Sequence, residues 1–293
     1  MSQTVSVCLQ KGIHFLESAG VPEAEISASE LLSDVLRQPR LSLYLEPEAI
    51  VDRLRESEFE NLLAKRASRY PLQYLVREVS FRSTLLEVGE GCLIPRPETE
   101  VLVDVILNRF SHRPENVHVL DIGTGSGNIA ISLAQERPKW FITATDISEE
   151  ALRYAEANAD RNQVASRIRF VQTDLWQGIE GTFFDALVSN PPYLTASELT
   201  NLQPEVAFEP KMALDGGKDG LYFFKQITQN ARRVLKRGGF VFFETGMRQA
   251  GTVADRLKAA GFESIQISND HSSIERIVSA QLNGSSRHRG YKG

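Results

Sequence analysis

From residue 117 onward short apolar runs alternate with helical segments, and this alternation constrains the fold more than any other feature of the chain. Val117-His118-Val119-Leu120 predicts a strand, followed by a glycine turn and a helix over Ile129 to Gln135. Phe141-Ile142-Thr143-Ala144-Thr145 predicts a second strand. The helix after it starts at Ser148 and carries Glu149 and Glu150 in its first turn, where the helix dipole favours acids. Ile168 to Val171 and Ala186-Leu187-Val188 supply a third and a fourth strand. A helix over Leu221 to Leu235 leads into Phe240-Val241-Phe242-Phe243, and two more strands fall near Ile265 and over Ile274 to Val278. Strands separated by helices need crossover connections, which place helices on both faces of a mostly parallel sheet. The expectation is an α/β fold with a doubly wound, mostly parallel, seven-stranded sheet. Ligands of such sheets sit beyond the carboxyl ends of the strands, where the strand order reverses.

The chain ahead of this region has a different character. Val5, Leu9, Ile13 and Leu16 share one helical stripe, Ile26, Leu31, Leu32 and Val35 a second, and Ile50, Leu54, Leu62 and Leu63 a third. Gly20-Val21-Pro22 and Gln38-Pro39-Arg40 break the segments apart. Residues 1–75 are therefore expected to form a small N-terminal helical domain whose apolar stripes are core. Residues 76–97 read as a connector with strand and hairpin character, from Val79-Ser80-Phe81 and Leu85-Leu86-Glu87-Val88 to Pro95 and Pro97. The larger domain follows over 98–283, its first helix starting near Glu98-Thr99. Residues 284–293 form a basic, Gly/Ser-rich end expected to be disordered.

Composition narrows the function classes. The net charge of −5 lacks the cationic excess with which nucleic-acid binders neutralise phosphates. Cys8 and Cys92 have neither metal-ligand spacing nor a pairing pattern, so reduced thiols and no metal site are expected. The start, Met1 to Ser6, lacks the basic and apolar regions of a signal peptide, and no apolar run approaches the ~18 residues that cross a bilayer. A cytoplasmic location is the expectation.

The first strand ends in Asp121-Ile122-Gly123-Thr124-Gly125-Ser126-Gly127. Alternate glycines let the backbone turn sharply and let a ligand lie against main-chain atoms. The dinucleotide fingerprint needs a glycine at position 128, which is Asn, and a P-loop needs Gly-Lys-Ser/Thr, so phosphate cradling is the wrong chemistry. Gly-x-Gly-x-Gly after an acid is similar to the loop of class I methyltransferases, where the ligand is the amino-acid end of S-adenosylmethionine. Asp146 closes the second strand about 20 residues on, where a carboxylate can accept from both ribose hydroxyls. Asp174 ends the third, placed to accept from an adenine amine while Leu175 packs on the ring. Three acids at successive strand ends around one glycine loop make a cofactor site a stronger reading than three unrelated caps.

The fourth strand runs into Ser189-Asn190-Pro191-Pro192-Tyr193. Two prolines fix their φ angles and donate nothing, leaving a rigid loop with free carbonyls. Such a loop suits a planar NH2 group, a poor nucleophile whose lone pair is delocalised. Acceptors at the Asn190 side chain and the Pro191 carbonyl can hold both N–H groups and stabilise the positive charge that develops on methylation. Tyr193 can stack on the planar group.

Asn-Pro-Pro-Tyr is shared by adenine-N6 DNA, guanine-N2 ribosomal RNA and glutamine-N5 protein methyltransferases, so it does not choose the acceptor. Ile94-Pro95-Arg96-Pro97-Glu98-Thr99-Glu100, Glu205-Val206-Ala207-Phe208-Glu209-Pro210 and Ala213-Leu214-Asp215-Gly216-Gly217-Lys218-Asp219-Gly220-Leu221 resemble segments of peptide chain release factor glutamine N5-methyltransferases. The resemblance implies a seven-stranded methyltransferase sheet and methylation of the glutamine in the Gly-Gly-Gln loop of class 1 release factors, with S-adenosyl-L-methionine as donor. It implies that Asn190, Pro191, Pro192 and Tyr193 hold the glutamine, that residues 123–127, Asp146, Leu175 and Asn190 line the cofactor site, and that the helical domain docks the release factor. Neither a membrane nor a direct nucleic-acid partner is implied. The chain departs from the pattern at Leu75-Val76, at Phe243-Glu244-Thr245-Gly246 and at Asp270 to Arg276, which lacks a glycine. The alternative is a nucleic-acid methyltransferase acting on adenine N6 or guanine N2. A non-catalytic binding protein on the same scaffold would be expected to have lost Asn190 or one of the three acids.

Overall fold

The computed structural model describes residues 3–112, 116–179 and 181–284. Most of the tail expected over 284–293 lies outside them. The chain divides into two compact units.

The smaller unit contains the described residues up to Glu78 together with Val88–Glu90 and Leu202–Glu209. Its elements are β1 (Gln3–Thr4), α1 (Val5–Ser18), α2 (Ala24–Leu36), α3 (Arg40–Leu45), β2 (Ile50–Val51), α4 (Arg53–Ala67) and α5 (Leu72–Val76). Leu16, Leu31, Leu32, Val51 and Phe59 form its buried centre. The first stripe packs as the spacing predicts, whereas the second and third need correction. Ile26, Ile50 and Leu54 are exposed rather than core. The third segment does not begin as a helix: Ile50 and Val51 pair antiparallel with Thr4 and Gln3. Asp52 then caps α4 by accepting from Leu54 N and Arg55 N, both at 3.0 Å. That start turns Leu54 outward and leaves Phe59 and Leu63, four apart, to face the core.

Leu202–Glu209 joins this unit from far along the chain. Glu205 receives Arg69 Nε at 2.6 Å and Arg69 Nη2 at 2.7 Å, a bidentate pair, and Arg66 Nη1 at 2.9 Å. Burial alone would raise the Glu205 carboxyl, but these arginines hold it down at about 2. Arg66 is itself buried and also donates to Ser27 Oγ at 3.2 Å.

The larger unit opens at Val79, inside β3 (Glu78–Phe81), which pairs with β4 (Thr84–Glu87). There follow α6 (Pro97–Arg109), β5 (His118–Ile122), α7 (Asn128–Glu136), β6 (Phe141–Asp146), α8 (Glu149–Arg161), β7 (Ile168–Gln172) and β8 (Phe184–Ser189). The unit closes with α9 (Tyr222–Asn230), β9 (Leu235–Glu244), α10 (Ala250–Ala259), β10 (Phe262–Asn269) and β11 (Glu275–Leu282). The seven-stranded sheet has the order β10-β11-β9-β8-β5-β6-β7. Strands β9, β8, β5, β6 and β7 are parallel, and β11 is antiparallel to both β9 and β10. The chain runs from β5 outward to β7, then returns to the other side of β5 through β8. The order therefore reverses at β5, and the carboxyl ends of β5, β6 and β8 surround that point.

Both faces are covered, which explains the continuous apolar strands. Val119 packs on one face with Ile106, Phe110, Ile129 and Trp140, and its neighbour Leu120 on the other with Phe224, Ile227 and Val253. Phe110 meets Trp140 edge to face at 5.4 Å, an arrangement worth ~0.5–1.5 kcal/mol beyond burial. The helix expected to reach Leu235 ends at Asn230. A 3-10 turn over Ala231–Arg233 follows, and Leu235 already pairs with Phe184 in the sheet. Phe224, Ile227, Ala231 and Leu235 keep helical spacing through the turn, so periodicity cannot reveal the break. Helix α6 starts at Pro97, where a missing N–H leaves no intrahelical bond unmade.

Candidate active site

A cavity of about 310 Å³ opens at the reversal point, and Gly123, Gly125, Asp146, Asp174, Leu175 and Asn190 are on its wall. Pro191 and Pro192 complete the Asn190 side. Sequence reasoning thus named residues from four separate segments that the sheet brings to one place.

The glycine loop is pinned from beneath. Gly123 N and Thr124 N both donate to Thr145 O, at 2.8 and 3.0 Å, and Gly127 N donates to Thr124 O at 2.9 Å. Gly123, Gly125 and Gly127 take φ of 74°, 56° and 82°, a region that side-chain-bearing residues adopt only under strain. Asp121 is fully buried and is not on the cavity wall. Its Oδ2 accepts from Thr124 Oγ1 at 2.7 Å, and the Ala130 backbone N–H, in the first turn of α7, also acts on the carboxyl. Burial pushes its carboxyl up to about 7, with the Asp146 charge adding to the rise. Thr124, Ser126 and Gly127 likewise shape the loop from behind the wall.

Asp146 faces the cavity. Its Oδ2 accepts from Gly125 N and its Oδ1 from Ser148 N, each at 2.9 Å. Burial raises its carboxyl, opposed by these backbone bonds. Each oxygen keeps acceptor capacity for a ligand. Leu175 holds φ of 60° and its carbonyl accepts from Thr145 Oγ1 at 3.1 Å, which fixes the turn beside Asp174.

On the opposite side Ser189 Oγ donates to Ile122 O at 2.7 Å and ties the end of β8 to β5. Tyr193 is placed apart from the cavity. Its ring packs against the apolar cluster of α9 and β9, and burial pushes its hydroxyl up to about 12. Its backbone is clamped: Gln249 Nε2 donates to Tyr193 O at 3.0 Å, and Gly216 N donates to Leu194 O at 2.9 Å. A Cβ on Gly220, which has φ of 69°, would lie 2.4 Å from Tyr193 O. In this structure Tyr193 therefore supports the loop from the core.

The sequence reading missed several wall residues. Gly91 and Leu93 come from the stretch read only as a connector, and Met212, Tyr222 and Phe223 from the segment after the catalytic loop. It also missed Glu244 and Thr99. Glu244 closes β9, is 1% exposed, and accepts from Thr99 Oγ1 at 2.6 Å. Asn190 Nδ2 donates to Thr99 Oγ1 at 3.3 Å. Burial pushes the Glu244 carboxyl up to about 7, against the lowering bond from Thr99. An acid at a strand's carboxyl end was the signal used for Asp146 and Asp174, and it applied equally here. Among the described residues no group of three His, Cys, Asp or Glu side chains could hold a metal ion.

The model of the methyltransferase small domain matches residues 98–237, and the model of the PrmC N-terminal domain matches residues 8–76. The release factor glutamine methyltransferase of Thermodesulfovibrio yellowstonii is 35% identical over 87% of this chain and 91% of its own length. That of Moorella thermoacetica is 36% identical over 94% of this chain and 98% of its own. That of Synechocystis is 43% identical over 73% and 74%. The chain belongs to the release factor glutamine methyltransferase family. A methyltransferase structure from Pyrococcus furiosus aligns with a TM-score of 0.53 over 70% of this chain and 91% of that one, at 20% identity, which shows the shared fold. The chain is thus a methyltransferase, and the cavity at its strand-order reversal is where this family membership and the geometry meet. The Glu205 and Gly216-to-Gly220 segments that carried the resemblance in sequence are seen here as structural: one anchors to arginines, the other clamps Tyr193.

Proposed function

We propose that this methyltransferase transfers a methyl group from S-adenosylmethionine to the side-chain amide nitrogen, N5, of the glutamine in the Gly-Gly-Gln loop of class 1 peptide chain release factors. The observation that carries the reading is the meeting, in one cavity, of the rigid Asn190-Pro191-Pro192 wall with the glycine loop and the strand-end acids. The names of the similar proteins support the choice of acceptor. The acceptor is a translation protein, so the cytoplasm is the proposed place of action. Among the described residues no helix is long and apolar enough to cross a membrane.

The residues present fit the cofactor. Asp146 has an unfilled lone pair on each oxygen for two ribose hydroxyls. Leu175 offers an apolar wall for a flat base, with Asp174 beside it for an exocyclic amine. Asp121, buried beneath the loop that would face the amino-acid end, would be favoured in its negative form by a cationic ligand there, against the burial that raises its carboxyl. When bound, S-adenosylmethionine supplies an electrophilic methyl group on a sulfonium.

The chain's own contribution is positioning. Asn190 Oδ1 and the Pro191 carbonyl would accept from the two N–H groups of the glutamine amide and aim its nitrogen. As the N–C bond forms and the S–C bond breaks, positive charge grows on the nitrogen, and these acceptors stabilise it. The nitrogen then releases one proton to solvent, so no strong base is needed. Orientation of this kind supplies up to ~7–11 kcal/mol.

The test is incubation with methyl-labelled S-adenosylmethionine and a release factor, with RNA and DNA offered as rival acceptors. Label should enter the release factor and vanish when its loop glutamine is replaced by alanine. Label in RNA or DNA instead would transfer the reading to an adenine or guanine amine.

A further inference from the structure

A carboxamide such as that of Asn190 can present either its oxygen or its NH2 to a substrate, and only the oxygen can accept from a substrate N–H. Something must select between the two orientations. The network behind Asn190 does so through the number of hydrogens available. A Glu244 carboxylate has none to give, so over 2.6 Å it is the Thr99 hydroxyl that donates. With its single hydrogen committed, Thr99 Oγ1 can only accept from Asn190, and the amide group that donates is Nδ2, 3.3 Å away. The Asn190 side chain also bonds directly to the Glu244 carboxyl, and toward a carboxylate it too can only donate through Nδ2. The other end of the amide, Oδ1, is then left for the cavity.

We propose that Thr99 and Glu244 are positioning residues that hold the Asn190 carboxamide with its oxygen toward the acceptor amide. The proposal rests on the reading of Asn190 as the residue that accepts from the substrate NH2. Three elements build the network: Thr99 in the first turn of α6, Glu244 at the end of β9 and Asn190 at the end of β8. Thr99 and Glu244 are each 1% exposed, so water does not compete for their bonds. A carboxylate has a poor solvation environment at such a site, and a purely structural role would be filled as well by an amide of the same shape.

The direction of the network depends on the charge of Glu244. As a carboxylic acid it could donate to Thr99, whose own hydrogen would then be free for Asn190 Oδ1, turning the amide round. The groups that act on Glu244 are Thr99 and Asn190, whose side chains bond to it and lower its pKa, Glu98, from α6, which raises it, and Arg276, from β11, which lowers it; the Tyr193 hydroxyl, after β8, also feels its charge. Burial, the largest influence, pushes it up to about 7. The aligned network therefore forms above about pH 7 and is lost as pH falls through that value.

The test uses the full-length enzyme with saturating S-adenosylmethionine, so that titration of Asp121 or Asp146 beneath the cofactor is held apart. Thr99→Val removes the hydroxyl at nearly constant volume, Thr99→Ser returns it, and Glu244→Gln removes the charge while keeping the shape. Thr99→Val should lower kcat on the release factor on the order of tenfold or more, with cofactor affinity by calorimetry held within about twofold. Thr99→Ser should recover most of that loss. Glu244→Gln should lower kcat and flatten the acid side of the kcat profile near pH 7. Wild-type kcat in Thr99→Val overturns the proposal, and so does a serine variant no better than the valine one, or an unchanged acid limb in Glu244→Gln. Equal loss of kcat and cofactor affinity in all three variants would mean a structural role and overturns it as well. Asn190→Ala assayed alongside keeps the two readings apart. An active Asn190→Ala refutes the assignment of Asn190 itself, whereas an inactive one beside a fully active Thr99→Val refutes only the role of the network.

Discussion

Asn190 and Asp146 lie on the same cavity wall but carry different bonds, so their removal should separate the two halves of the reaction. Asn190 bonds back to Thr99 through Nδ2, and its proposed role is to accept from the acceptor amide through Oδ1. Asn190→Ala is expected to abolish methyl transfer while S-adenosylmethionine affinity stays within about tenfold, or ~1.4 kcal/mol. Near-normal turnover in a single-turnover assay would contradict this. Asp146 holds Gly125 N and Ser148 N at 2.9 Å and faces the place proposed for the ribose. Asp146→Ala removes those bonds and the ribose acceptors together, at ~1.5–3 kcal/mol for each bond to a charged group. Its cofactor affinity should fall at least tenfold in calorimetry, with kcat at saturating cofactor affected less. An unchanged affinity would refute the role.

At the scale of elements, the segment Leu202–Glu209 behaves as a strap held by charge. Glu205 meets two arginines of the helical unit, and its carboxyl is held at about 2 where an ordinary glutamate titrates near 4.5. A group whose folded pKa is depressed stabilises the protein above its unfolded pKa. That stability is lost as pH falls from about 4.5 toward about 2. Glu205→Ala should destabilise the unit at pH 7 by ~1–2 kcal/mol, at the modest end for charged bonds because the carboxylate keeps part of its surface in water. Urea midpoints of wild type and variant should differ clearly at pH 7 and converge in strong acid. A difference independent of pH would assign the effect to packing. The strap also accounts for the edge-on meeting of Phe208 with Tyr70 at 5.2 Å, which the local sequence does not announce.

At the scale of the whole molecule, no described residue of the helical unit is on the cavity wall, yet Leu41 and Leu45 on α3 are 66% and 71% exposed beside the buried Leu43. A Gly-Gly-Gln loop is small, so a second contact with the release factor would supply specificity by raising the effective concentration of the loop at the cavity. We predict that Leu41→Ser with Leu45→Ser raises KM for the intact release factor by about tenfold, ~1.4 kcal/mol. Turnover of a short Gly-Gly-Gln peptide should stay equally poor in both proteins. Cofactor affinity should not change. An unaltered kcat/KM on the full release factor would remove docking from this face. Exposed apolar residues scattered singly need no partner, so what sets this face apart is that two lie one turn apart on a short helix anchored by the buried Leu43.

Local pattern along the chain is enough for the alternation of the larger unit, the sheet of seven strands, and the loops at the ends of β5, β6, β7 and β8. These are local signals: strand and helix periods, glycines, prolines and acids at fixed positions along the chain. It also marked Asn190, Asp146, Asp174 and Leu175, all of which the sheet gathers onto one wall. What it could not determine are relations between distant segments. The end of α9 was hidden because apolar spacing continued past it into β9. The outward turn of Leu54 depended on β2 pairing with a strand more than forty residues earlier. Tyr193 left the cavity because Gln249 and Gly220, both remote in sequence, clamp its backbone. The bond of Thr99 to Glu244 spans 145 residues, and neither residue has any local reason to seek the other. Periodicity and motif report what a segment prefers, whereas burial and hydrogen-bond partners across the sheet exist only once the whole chain has closed around its core.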